Sequence, residues 1–164
     1  MDYTCYFRPK KTEWDISLFY KSKGFHYPQD LNEQDIAESL GITLIYSERP
    51  TYAYVDQDIK LINVENELPT IIRREHFFHE ICHVVRHSGS QLLMHEAFVD
   101  YQEMDSSRFI RYASLPYHMI IEYDFTDPFL IQNLSVDFNV NPALCFERMQ
   151  EMKRNCFGTN HLNK

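Results

Sequence analysis

The chain has 164 residues, 44% of them hydrophobic, with 11 Tyr and 12 Phe, so it is long and apolar enough to bury a core and is no disordered tail. Its formal charge of −8 argues against wrapping a nucleic-acid duplex, whose binding is driven by Lys and Arg on phosphates. No apolar run approaches the roughly 20 residues of a membrane span, and "MDYTCYFRPKKTEWD" has no apolar stretch of secretory type. The four cysteines, Cys5, Cys82, Cys145 and Cys156, form no C-x-x-C pair and read as free thiols of a reducing cytoplasm.

In chain order, residues 1–30 form an N-terminal extension with a small excess of cations (Arg8, Lys10, Lys11, Lys21 and Lys23 against Asp2, Glu13 and Asp15), which a solvated face explains. A helix is expected from Asn32 to Leu40, with Leu31, Ile36, Ala37 and Leu40 as its apolar stripe and Gly41 as its stop. "ITLIYS", "TYAYVD" and "IKLINVE" follow, rich in β-branched and aromatic residues and separated by "ERP" and "QD". They predict a small three-stranded antiparallel sheet from Ile42 to Val64. Pro69 and Gly89 then bracket a helix expected from Pro69 to His87, with Ile72, Phe78, Ile81, Cys82 and Val85 at helical intervals. A second long helix is expected from His95 to Ser114, ended by Pro116, and a last one from Pro142 to Asn155. The order predicts a single α+β domain: a core over 31–116 and a C-terminal helical segment over 117–164.

The chemistry concentrates in "TIIRREHFFHEICHVVRHSG". His79 and His83 are four apart, so on a helix they share one face, one turn apart, where two imidazoles can reach one zinc ion at about 2.0–2.1 Å. Glu80 beside them is placed to take a proton from an attacking water, the role a carboxylate has in an H-E-x-x-H helix. His87 is about 12 Å from His79 along the helix axis and cannot share that ion with His83 between them. It reads as a charge at the helix C-terminus, and His76 as a further member of the stripe. A catalytic zinc takes three protein ligands and leaves one position open, so the third must come from another element. His95, Glu96, Asp100, Glu103 and Asp105 on the next helix are the candidates, and spacing does not choose among them. Tyr101, Arg108, Tyr112 and His118 are candidate donors to a developing oxyanion.

"FFHEICHVVRHSG" followed by "YQEMDSSRFIRYASLPYHM" resembles the ImmA/IrrE-type metallopeptidases of bacterial prophages and mobile elements. There the second helix carries a glutamate, usually as E-x-x-A-(N/D)-x-F-A, and a proline closes the segment. Glu103 stands at the glutamate position, Phe109 at the phenylalanine and Leu115-Pro116 at the closing pair. Ser106, Ser107 and Ile110 depart from that pattern. "LSVDFNVNPALCFERM" is similar to the C-terminal tract of many members through Phe138, Val140 and Arg148, and its faint helix-turn-helix look is better read as helix packing. The resemblance implies a minimal zincin-like fold, Zn2+ held by His79, His83 and Glu103, and Glu80 as base. It also implies a cytoplasmic endopeptidase whose partner is a repressor-type transcription regulator. A zinc-containing regulator that binds its partner without cleaving it, and a zinc hydrolase of a non-peptide substrate, are the competing readings.

Overall fold

The computed structural model describes residues 7–87 and 106–157. Among these it shows seven α-helices and one three-stranded sheet: α1 Lys11–Ser22, α2 Glu33–Ser39, β1 Thr43–Ser47, β2 Tyr52–Val55, β3 Lys60–Glu65, α3 Thr70–His87, α4 Ser106–Ser114, α5 Tyr117–Ile120, α6 Leu130–Phe138 and α7 Pro142–Phe157. This is an α+β arrangement. Among the described residues no helix is long and apolar enough to cross a membrane.

The sheet corrects the expectation of an all-antiparallel meander. Its order is β1-β3-β2, and β1 runs parallel to β3 with Thr43 opposite Leu61, while only β2 is antiparallel to β3. The reason lies in the two links. Asp56 closes a tight turn between β2 and β3, its carboxylate accepting from the N–H groups of Asp58 and Ile59, both at 2.9 Å. "ERP" has none of the Asn-Gly or Gly residues a two-residue hairpin needs. It crosses the end of β3 instead, a distance of two strand spacings, about 10 Å. Asn63, fully buried in β3, holds that crossing: its amide donates to the carbonyls of Arg49 (3.2 Å) and Pro50 (3.0 Å) and accepts from the Ser47 hydroxyl (2.7 Å).

One face of the sheet buries Leu44, Ile62 and Val64, and α3 packs across β2 and β3. Ile45, Tyr52 and Tyr54 stay largely exposed on the other face. The helical elements wrap the far side of α3: α4 packs on α3, α1 on α4 and α5, and α7 on α6 and α4. Phe77, Phe78, Leu115, Leu134 and Phe138 are almost fully buried along this seam. Asn139 links α6 to α7 at φ 51°, a left-handed position where asparagine is better tolerated than most residues.

Helix α1 had no counterpart in the sequence reading. Its buried residues are mostly polar, with Glu13, Asp15 and Ser17 beside Ile16 and Tyr20, while Trp14 and Leu18 point outward. An apolar-period search cannot see such a helix. Glu13 accepts from the Lys10 N–H at 2.7 Å, which closes the helix start, and its other oxygen pairs with Arg148 of α7. Arg148 also donates to the Leu115 carbonyl (3.3 Å) and lies on the Tyr112 ring, 4.7 Å from its centroid.

Candidate metal centre

Helix α3 turns Arg74, Phe77, Phe78, Ile81, Cys82, Val84 and Val85 into the core. That leaves His79, Glu80 and His83 half-buried on its accessible side and His76 exposed one turn earlier. The 3.6-residue period thus delivers the stripe read from the sequence. His79 and His83 turn their rings toward each other: the Nε2 atoms are 2.9 Å apart, the centroids 4.6 Å, and the planes cross at 77°.

Two nitrogens that converge this closely can share a proton or a cation. Two bonds of about 2.05 Å to nitrogens at this separation would meet at roughly 90°, and a tetrahedral ion asks for nitrogens about 3.3 Å apart. A few tenths of an ångström of opening, within the reach of a small χ adjustment, converts one into the other. The imidazole pair therefore fits half of a zinc site.

The other half is not placed. His95, Glu96, Asp100, Glu103 and Asp105, and with them Tyr101, lie outside the described residues. Among the described residues no group of three His, Cys, Asp or Glu side chains is arranged to hold a metal. Helix α4, described over Ser106–Ser114, packs against α3, with Phe109 buried beside Ile81 and Val85 in the interior. We expect Glu103→Ala to weaken zinc binding by orders of magnitude and Glu96→Ala and Asp100→Ala to leave it nearly unchanged, as measured by competition with a chromogenic chelator. A large loss in either of the latter two, with Glu103→Ala neutral, reassigns the ligand.

Two of the four candidate oxyanion donors are committed elsewhere. The Tyr112 hydroxyl donates to Glu151 in the interior. His118 is buried, its Nε2 3.0 Å from the Phe25 carbonyl. Burial lowers its proton affinity, the Phe25 hydrogen bond opposes this, and Lys21 and His26 add to the lowering. Arg108 is exposed. Cys82 and Cys145 are buried and in no disulfide among the described residues, and burial pushes the Cys145 thiol up to about 12, which leaves it unreactive. Arg73 and Arg74, in the first turns of α3, drew no notice in the sequence, although the "RR" pair stands at the head of the histidine helix.

No family model matches the chain, and no solved structure matches it. It is similar to "Uncharacterized protein YqaB" of Bacillus subtilis (strain 168), 27% identical over 139 residues that make up 84% of this chain and 80% of that protein. It is also similar to "Phage-like element PBSX protein XkdA" of the same organism, 23% identical over 109 residues, 66% of this chain and 55% of that protein. The chain thus matches about half the length of the phage-element relative.

Proposed function

We propose that this chain is a zinc-dependent endopeptidase that acts in the cytoplasm on a repressor-type regulatory protein of a mobile element. The observation that carries the reading is the convergence of the His79 and His83 Nε2 atoms at 2.9 Å, with Glu80 next to them on the accessible side of one helix. The resemblance to ImmA/IrrE-type metallopeptidases supports the reaction class. The phage-like element in the name of one relative supports the mobile-element setting.

His79 and His83, with Glu103 as the proposed third ligand, would hold zinc, which when bound polarises the scissile carbonyl and makes a nearby water more acidic. Glu80 takes the proton of the attacking water as the C–O bond forms. It then passes that proton to the amide nitrogen as the C–N bond breaks, so one peptide and one water give a carboxylic acid and an amine, which ionise to carboxylate and ammonium. Glu80 is half-buried, so part of its side chain stays accessible.

The test is incubation of the purified chain with candidate repressor-type regulators of mobile elements, in the presence of zinc and in the presence of a chelator. Two fragments with zinc and none with chelator support the reading. A partner that binds with zinc present and stays intact identifies a regulator acting by contact.

A further inference from the structure

Arg73 and Arg74 carry charge that the described residues do not pair. Arg74 is only 6% exposed, its guanidinium lies against the Phe78 ring with Cζ 5.2 Å from the centroid, and its Nε is buried without a hydrogen-bond partner. Arg73 lies against the Tyr46 ring at 5.6 Å, its Nε is also buried without a partner, and one terminal nitrogen reaches the Asn66 carbonyl only at 3.5 Å. Among the described residues no carboxylate stands within 4.0 Å of either guanidinium. Glu33 is the acidic group whose field reaches Arg74, and one of its carboxylate oxygens accepts from the Tyr46 hydroxyl. Buried cations are normally paired, and one that is not calls for a missing ion or water.

We propose that Arg73, set against Tyr46, and Arg74, set against Phe78, form a binding site for a phosphate-type oxyanion at the junction of α2, β1 and α3. A guanidinium stacked on an aromatic ring keeps its plane fixed and offers its terminal N–H groups at the edge, the arrangement suited to phosphate oxygens. The oxyanion supplies the counter-charge that Arg74 lacks. Glu33 is the internal carboxylate that competes with it and keeps the affinity modest. The site is separate from the imidazole pair: Arg74 and His79 are five residues apart, about 7.5 Å along the axis and about 140° around it. It does not rest on the peptidase reading.

The experiment is calorimetric titration of the purified chain with inorganic phosphate at constant ionic strength, chloride replacing phosphate in the control. One saturable site is expected, weakened at least ~10-fold in Arg73→Gln and tightened about 10-fold in Glu33→Gln, where a competing charge is gone. Arg73 and Glu33 are not fully buried, so these variants serve even if Arg74→Gln fails to fold. A parallel titration with AMP separates the sources: a further gain of ~10-fold or more assigns the phosphate to a nucleotide, equal affinity assigns it to free phosphate. No saturable binding up to ~10 mM, binding that survives Arg73→Gln, or weaker binding in Glu33→Gln each overturns the proposal.

Discussion

Glu13→Ala is expected to destabilise the chain by about 3–5 kcal/mol, a large share of the 5–15 kcal/mol that typically holds a domain together. Glu13 and Arg148 are both fully enclosed, with side-chain exposures of 0%, and each is the other's charge partner across α1 and α7. Removing the carboxylate leaves a guanidinium in the interior with one carbonyl acceptor and an aromatic face, and its Nη2 already has no partner. The neighbouring pair supplies the contrast. Lys10 meets Glu151 at 2.8 Å, but the Lys10 side chain is 44% exposed, so Lys10→Ala should cost less than about 1 kcal/mol. Urea unfolding read at unchanged slope separates the two. A loss below about 1 kcal/mol in Glu13→Ala would show that α1 is not locked to α7 through this pair. The double change Glu13→Leu with Arg148→Met should recover most of the loss, since a well-packed apolar pair often replaces a buried ion pair at little cost.

Glu80→Gln is expected to cut peptide cleavage by ~10²-fold or more while leaving zinc binding and stability almost unchanged. Glutamine keeps the size and the hydrogen-bonding reach of the side chain and loses only its basicity. Glu80 is half-buried with no described ion pair to forfeit, so the folded state should change by no more than about 0.5 kcal/mol. The readout is single-turnover cleavage of the identified partner by wild type and variant, each with equal zinc. Full activity in the variant would remove Glu80 from the mechanism and leave the imidazole pair standing.

The elements with a clean local period were legible. The helix read as Asn32–Leu40 is Glu33–Ser39, with Asn32 capping it by accepting from the Asp35 N–H at 2.9 Å, and the helix read from Pro69 begins at Thr70 and is helical through the last described residue of that stretch, His87. All three strands were visible in their composition. Their partners were not, because alternation fixes which face a residue takes and says nothing about which strand lies beside it. Asn63, the residue that lets the chain cross β3, looked like one polar position in an apolar strand. Helix α1 escaped because its buried Glu13 is matched by an arginine 135 residues away.

The same division runs through the candidate site. His79 and His83 are one helical turn apart, so sequence spacing is spatial spacing. Five acidic or imidazole residues compete for the third position, and only resemblance singles out Glu103, whose placement depends on another segment. Arg73 and Arg74 acquire meaning only when Tyr46 and Phe78 are seen beneath them.

The central claim, that His79 and His83 are two ligands of one catalytic zinc, is tested most directly by metal analysis of the chain purified without chelator. About one zinc per chain is predicted for wild type, and loss of most of it in His79→Ala and in His83→Ala. A wild-type chain that carries no divalent metal and takes up none when zinc is added, or variants that keep the full complement, would contradict it.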